Sequence, residues 1–115
     1  LLLYAEARNK PEGSPNPLAY KCLNRVTDRA YGDQSHQYAG LTPEKFADAV
    51  FDEFGWENVF EFKRWFQLVR TEKVDEAIGK NAAIGARLNA NKENYLFPIP
   101  VRQCELRGWK NNPGY

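Results

Sequence analysis

Residues 53–70 read EFGWENVFEFKRWFQLVR, and this stretch decides how the rest of the chain is interpreted. At the helical step of about 100° per residue, its apolar side chains fall on two separate arcs. One arc holds Val50, Phe51, Phe54, Phe62, Trp65, Leu68 and Val69, and the other holds Trp56, Val59, Phe60 and Phe66. A helix that is apolar around most of its circumference is usually buried between several neighbours. We therefore predict one long buried helix over 43–71.

A line of charged residues runs between the two arcs. Glu53, Glu57, Glu61 and Arg64 follow one another at helical spacing, so a continuous helix would stack them along one edge. We interpret the line as a structural ion network, because buried charges need partners. In it Arg64 bridges Glu57 or Glu61, and further cations come from elsewhere in the chain. The alternative is a catalytic pair, Glu57 and Glu61, of the kind used in glycoside hydrolysis.

Bulk composition excludes several classes of function. The 115 residues carry a net charge of +1 with acids and bases interspersed, which is not the pattern of a nucleic-acid-binding protein. No apolar run approaches the length of a membrane span. Cys22 and Cys104 are too far apart for a metal or redox motif, so we expect free, mostly buried thiols, with a disulfide as the alternative. The single His36 lies in a polar loop, and we predict no metal site and no cofactor.

The start of the chain has an unusual composition. LLLYAEAR is strongly helical, but no residue precedes it to cap its amide groups, and the chain contains no methionine. We therefore expect a fragment of a longer protein that opens inside a helix.

Two further helices are predicted ahead of the central one, as a hairpin over 1–31. The first should end near Asn9, because a residue before proline, here Pro11, avoids helical angles. Asn16 should cap the second helix, with Pro17 at its first position. The apolar line of that helix is Leu18, Ala19, Cys22, Leu23, Val26 and Ala30. Such a pair is compatible with a tetratricopeptide-like unit.

The remaining predictions concern the residues before and after the central helix. Thr42 and Pro43 are a good cap and first residue for the central helix. Residues 72–94 should be irregular, apart from a short helix beginning near Val74. Residues 95–100, YLFPIP, should be extended because alternate prolines forbid helix, and an irregular, turn-rich tail should complete 95–115. The predicted fold class is mainly α.

The combination of these segments resembles the C-terminal part of the RagB/SusD family. The resemblance rests on RWFQLVR at 64–70, YLFPIP at 95–100 and NPGY at 112–115, supported by LLYAEA at 2–7 and by the pattern LNRV at 23–26 before RA at 29–30. The order and approximate spacing hold over nearly the whole chain. The chain departs from the family pattern at three places. It has Glu53-Phe54 where Glu-Arg is usual, Phe62 where glycine is common, and Gln67-Leu68 where Asp-Leu is usual.

This resemblance implies a part of a larger, mostly helical outer-membrane lipoprotein. Such proteins sit on the surface of Gram-negative cells, anchored through a lipidated cysteine at an N-terminus that this chain lacks. They bind oligosaccharides or polysaccharides, in some cases peptides, and deliver them to a SusC-like TonB-dependent outer-membrane transporter without catalysis. The competing interpretation is a helical-repeat module that binds a protein partner.

The resemblance also assigns roles to individual residues. The family signature residues read as scaffold, and they are Glu57, Glu61, Arg64, Trp65, Arg70, Pro98, Pro100 and Tyr115. Aromatic rings flanked by amides suit sugar binding, because ring faces stack on the apolar faces of pyranoses. Trp109 with Asn111, and Tyr38 with Gln37, have that composition and are the candidate ligand-binding residues.

Overall fold

The computed structural model describes residues 1–12, 15–79 and 95–115, and these residues contain six α-helices and no β-strand. The helices are α1 (Leu2–Glu12), α2 (Pro17–Tyr31), α3 (Pro43–Glu57), α4 (Arg64–Arg70), α5 (Val74–Gly79) and α6 (Val101–Arg107). The predicted mainly helical fold class is confirmed. The chain divides into two compact units, Leu1–Glu61 and Phe62–Tyr115. No helix within the described ranges is both long and apolar enough to cross a membrane.

Local capping determines where the helices of the first unit begin. The Asn16 side chain accepts a hydrogen bond from the Ala19 N–H at 2.7 Å, and Thr42 accepts one from the Lys45 N–H at 3.3 Å. Each cap is followed directly by a proline at the first helical position, where the missing N–H costs nothing. Both predicted caps are therefore confirmed. The predicted end of α1 near Asn9 is wrong, because the fixed φ of a proline fits a helical turn and α1 continues to Glu12.

The core of the first unit lies where α1 packs against α2 and α3. Its buried residues are Leu2, Ala5, Ala19, Leu23, Val26, Phe46 and Val50. Phe46 is fully buried and meets the Tyr20 ring edge-on, with centroids 4.9 Å apart. Burying a side chain of this size stabilises the fold by about 2–3 kcal/mol. The apolar line predicted for α2 is narrower than expected, since Leu18 and Ala30 are exposed.

The long central helix predicted over 43–71 is wrong, because it is interrupted between Glu57 and Arg64. The Asn58 side chain donates to the Phe54 carbonyl at 2.9 Å and so closes the end of α3. Phe60 and Phe62 then adopt left-handed conformations with φ of 63° and 57°, which a right-handed helix cannot contain.

The interruption also overturns the predicted burial of the second apolar arc. Four of its side chains and Phe62 are exposed, with exposed fractions of 61% for Trp56, 55% for Val59, 92% for Phe60, 90% for Phe62 and 63% for Phe66. The two-arc pattern had assumed a single axis through all eighteen residues. Once that axis is broken, the angular positions calculated on one side no longer apply to the other.

The second unit begins with α4 and α5, which pack against each other. Gln67 is buried, and its side-chain oxygen accepts a hydrogen bond from the Arg64 guanidinium. Val74 is 1% exposed and opens α5, as the sequence predicts. The irregular segment predicted over 72–94 thus contains a helix at its start, and residues 80–94 lie outside the described residues.

A helix lies between the predicted extended segment and the predicted irregular, turn-rich tail. α6 was not predicted, and it begins directly after Pro100, whose carbonyl accepts the Gln103 N–H at 2.8 Å. It ends at Gly108, where φ is 65° and the Trp109 N–H reaches back to the Cys104 carbonyl at 3.1 Å. A left-handed glycine with a bond of this span is the usual way to terminate a helix.

The final four residues form a hydrogen-bonded turn. The Tyr115 N–H bonds to the Asn112 carbonyl at 3.3 Å, and the residues between them are Pro113 and Gly114. Gly114 has a φ of 88°, the positive value that the third position of a type II turn requires. The predicted turn chemistry of the tail is confirmed.

Candidate functional site

The predicted line of carboxylates is divided by the helix interruption. Glu57, near the end of α3, is held by Arg29 of α2, whose Nη2 lies 2.6 Å from Oε1. Arg29 is a cation from elsewhere in the chain, as the structural ion network requires. The pair is partly exposed, so it contributes at most about 1 kcal/mol. The predicted bridge from Arg64 to Glu57 or Glu61 stays a prediction.

Glu53 is the buried member of that line. Its side chain is 5% exposed, and the Tyr38 hydroxyl donates a hydrogen bond to its Oε1 at 3.1 Å. Burial raises the pKa of Glu53, the Tyr38 hydrogen bond opposes that rise, and the charges of Glu57 and Asp52 add to it. Burial also raises the pKa of Tyr38 to about 12, and the Glu53 carboxylate reinforces that shift. The two groups form a structural hydrogen bond in which the phenol stays protonated.

Tyr38 is held in place by contacts of its ring and its backbone with the first unit. Its ring is half-buried against the core of the first unit. Its backbone N–H donates to Asn24 Oδ1 at 2.8 Å, and its carbonyl accepts from Asn24 Nδ2 at 3.0 Å. Its neighbour Gln37 is exposed and donates to both carboxylate oxygens of Asp28 at 3.0 Å. Gln37 is exposed and Tyr38 is half-buried, and their contact with a ligand stays a prediction.

Trp109 keeps an accessible ring. It is 54% exposed and lies just beyond α6, and the Arg107 guanidinium carbon stands 5.7 Å from its centroid. This is within cation–π distance. Asn111, predicted as its flanking amide, is already engaged: its Oδ1 accepts from the Ile99 N–H at 2.7 Å and its Nδ2 donates to the Ile99 carbonyl at 3.2 Å. The Trp109 ring is therefore available for stacking, whereas the Asn111 amide serves the fold.

One signature residue of the second unit, Trp65, belongs to an aromatic cluster with Phe66 and Phe97. Trp65 is half-buried rather than fully buried, and its ring centroid lies 6.4 Å from that of Phe97. Phe66 approaches the same ring edge-on at 6.4 Å. Pro98 lies in the extended segment beside Phe97 and is exposed.

The other signature positions mark the ends of elements. Arg70 is the last residue of α4 and is exposed. Pro100 immediately precedes α6, and Tyr115 is 55% exposed at the close of the final turn. Placement at the ends of helices and of a turn fits the scaffold role that the family resemblance implies.

Cysteines and metal-binding groups add no site within the described ranges. Cys22 and Cys104 are both free and half-buried. No group of three or more His, Cys, Asp and Glu side chains in the described residues is placed to hold a metal ion. His36 stacks on the Tyr31 ring with centroids 3.7 Å apart and lies 2.7 Å from the Ser35 hydroxyl.

Sequence reasoning missed two of the contacts that organise these residues. The Arg29–Glu57 pair joins positions 28 apart in sequence, and the Asn111–Ile99 pair joins positions 12 apart. No local pattern identifies such partners. The one available signal for the second pair was two adjacent asparagines, Asn111 and Asn112, shortly after a proline-rich extended segment.

Comparison with known proteins connects this fold to one family. The SusD family model matches residues 1–115. SusD-like protein P2 of Formosa agariphila is 32% identical over 100% of this chain and 24% of its own length. SusD-like protein P25 of the same organism is 34% identical over 92% of this chain and 20% of its own length.

A solved structure agrees with the sequence comparisons. The crystal structure of a SusD homologue from Bacteroides thetaiotaomicron superimposes with a TM-score of 0.81 at 28% identity, covering 99% of this chain and 25% of that one. The chain thus spans about a quarter of the length of the relatives it matches. The match along its whole length shows that this chain belongs to the SusD family.

Proposed function

We propose that the protein binds glycans at the cell surface and delivers them to a SusC-like TonB-dependent transporter in the outer membrane, without catalysis. The observation that carries the proposal is the family match over residues 1–115, together with relatives 32–34% identical. Membership of the SusD family supports a general role in glycan binding and nutrient uptake. Delivery to a transporter, lipid anchoring at the surface and the absence of catalysis are the finer parts of the proposal.

Within this chain, Trp109 is the best-supported contact for a sugar. Its ring is 54% exposed, and its backbone N–H is hydrogen-bonded to the Cys104 carbonyl at the C-terminal end of α6. A rigid, half-exposed indole can stack on one face of a pyranose with little loss of side-chain entropy. By analogy with aromatic pairs, such a contact contributes about 1 kcal/mol. A few contacts of this size give reversible binding, which a protein that must release its cargo needs.

The arrangement of carboxylates argues for binding rather than hydrolysis. A glycosidase needs two carboxylates flanking an open cleft. In the catalytic alternative, Glu57 and Glu61, the first carboxylate is paired with Arg29. Glu53, the third carboxylate of the line, is buried with Tyr38 as its donor. These engaged groups support the structural interpretation of the acidic line over the catalytic one.

The test is affinity gel electrophoresis of the full-length protein against plant, host and microbial polysaccharides. We expect at least one polymer to retard the wild-type protein. Trp109→Ala should weaken that retardation by about fivefold, the equivalent of about 1 kcal/mol. Trp56→Ala is the matched control, because Trp56 is similarly exposed at 61% but lies in α3 of the first unit.

Two outcomes would redirect the proposal. If no polysaccharide retards the wild-type protein, the glycan proposal fails, and peptide cargo or a protein-binding repeat module takes its place. If both tryptophan variants behave as wild type towards a bound polymer, Trp109 is not a contact. Delivery is tested separately, by asking whether the protein co-purifies with a SusC-like transporter from outer membranes.

A further inference from the structure

A groove on the first unit, with charged and amide side chains in its lining, has the chemistry of a ligand site that the proposed sugar contacts do not use. It encloses about 440 Å³ between α2 and the loop over residues 32–40. Lys21, Arg25 and Asp28 line it from α2, and Gln34 and Gln37 line it from the loop. The three helical residues are spaced four and then three positions apart, so they share one face of α2.

The wall of the groove is fixed by hydrogen bonds. The Tyr20 hydroxyl accepts from the Leu41 N–H at 2.7 Å and donates to the Leu41 carbonyl at 3.3 Å. The Asn24 side-chain amide donates to the Tyr38 carbonyl and accepts from the Tyr38 N–H. These two lining residues tie the loop to α2. The groove therefore keeps its shape before any ligand arrives, which lowers the entropic cost of binding.

The other side chains that line the groove are mostly hydrogen-bond donors. The side chains of Lys21, Arg25 and Gln34 are exposed and have no hydrogen-bond or ion-pair partner in the part of the chain that the structure describes. Lysine and arginine side chains only donate, and they prefer anionic oxygens. Asp28, held by Gln37, is the acceptor on the same face. Two cations beside one carboxylate leave the groove with a net positive charge.

We infer that this groove binds an anionic group of an acidic glycan, either a uronate carboxylate or a sulfate ester. Lys21 and Arg25 hold the anionic oxygens, while Asp28 and the glutamine amides meet the hydroxyl groups of the same sugar. Neighbouring positions four apart on a helix are about 5–6 Å apart at Cβ, so both cations can reach one anionic group. The inference rests on the proposed glycan binding and names the substrate class.

The test compares charged and uncharged forms of the same polymers, using the full-length protein. Polygalacturonate is paired with its methyl ester, and dextran sulfate is paired with dextran. Binding is measured by affinity gel electrophoresis and repeated in solution at about 0.15 M salt, where the Debye length of about 8 Å screens unspecific attraction. The two charged polymers distinguish a carboxylate ligand from a sulfate ligand.

Two double variants with the same change in net charge locate the site. Lys21→Gln/Arg25→Gln removes both cations from the groove, and Lys45→Gln/Arg102→Gln removes two exposed cations that do not line it. We expect the groove variant to lose affinity for a charged polymer by at least about tenfold, equivalent to about 1.4 kcal/mol. The control variant should change it by less than about twofold, and both should melt like the wild type.

Each alternative outcome has a separate meaning. If a charged polymer binds all three proteins equally, the anionic group is held elsewhere and the inference is overturned. If only uncharged polymers bind, the inference is again overturned while the proposed glycan function stands. If no polymer of either kind binds, both fail together.

Discussion

Replacing Tyr38 with phenylalanine removes one oxygen atom from the interior of the first unit. The ring keeps its packing against the core, and the backbone bonds to Asn24 remain. The atom that is lost donates the hydrogen bond to Glu53 at 3.1 Å. Glu53 is only 5% exposed, so water cannot easily replace that donor. The variant therefore isolates the contribution of a single hydroxyl group to stability.

The size of the stability loss depends on the charge of the acceptor, the Glu53 carboxylate. A hydrogen bond to a charged group contributes about 1.5–3 kcal/mol, compared with about 1 kcal/mol for a neutral pair. We expect Tyr38→Phe to lower the free energy of unfolding at neutral pH by about 2 kcal/mol. In a Glu53→Gln background the acceptor is uncharged, and the same change should cost only about 1 kcal/mol. The difference between the two costs is the coupling energy of the pair.

Urea denaturation of the full-length protein measures these values, provided that the slope of the transition is unchanged. Tyr31→Phe is the matched control, because Tyr31 is 55% exposed and its ring stacks on His36. Its stability should stay within about 0.5 kcal/mol of wild type. Glycan affinity should be unaffected in both variants.

Two results would refute this reasoning. A loss of less than about 0.5 kcal/mol in Tyr38→Phe would mean that the hydroxyl does not stabilise the carboxylate. Unchanged stability combined with weakened glycan binding would place the hydroxyl at a ligand instead, as the sequence composition of Gln37-Tyr38 suggests.

Three further predictions concern charge, the tail and the helix interruption. Because burial raises the pKa of Glu53, the folded chain holds this proton more tightly than the unfolded chain, and wild-type stability falls as pH rises through the folded pKa. Glu53→Gln removes that fall, so the melting temperature of the variant should rise relative to that of wild type as the pH increases above the ordinary glutamate pKa of about 4.3. A difference that does not change with pH would contradict this. Asn111→Ala loses two hydrogen bonds to Ile99, together about 1–3 kcal/mol, so limited proteolysis should cut near the tail faster than in wild type. The increase should be smaller in Asn111→Asp, which keeps the acceptor. Equal cleavage rates in wild type and Asn111→Ala would count against the contact. Phe60→Asn should stabilise the protein by about 0.5–1 kcal/mol, because asparagine tolerates left-handed φ and the Phe60 ring is 92% exposed. A urea midpoint lower than that of wild type would show that the ring packs on another part of the full-length protein.

Local chemistry made part of this fold predictable. Asn16 and Thr42 each stand directly before a proline and three residues before the N–H that they accept from, so the information needed to place both helix starts lies within four residues. The final turn around Pro113 and Gly114 is predictable for the same reason. The family resemblance added what no local rule supplies, the identity of the scaffold.

Non-local contacts and backbone conformation account for what could not be predicted. Periodicity treats every residue between Pro43 and Arg70 as helical, and it carries no information on whether Phe60 and Phe62 take positive φ. The burial of Glu53 depends on Tyr38 arriving from a loop 15 positions away. Likewise, the partners that hold Tyr38, Asn24 and Glu53, lie 14 and 15 positions away in sequence, where no local pattern identifies them.

The hydrogen bonds from Asn111 and Asn112 to residues 97–99 have a consequence for the aggregation of the extended segment. Apolar, extended backbone is a template for pairing with strands of other chains, and exposed N–H and C=O groups are what it offers. Pro98 and Pro100 have no N–H to offer, and the N–H and carbonyl of Ile99 are both engaged by Asn111. The Phe97 carbonyl is taken by Asn112 at 2.6 Å. Asn111 and Asn112 thus reduce the number of backbone groups that could pair with another chain, in a segment whose exposed Phe97 ring favours aggregation.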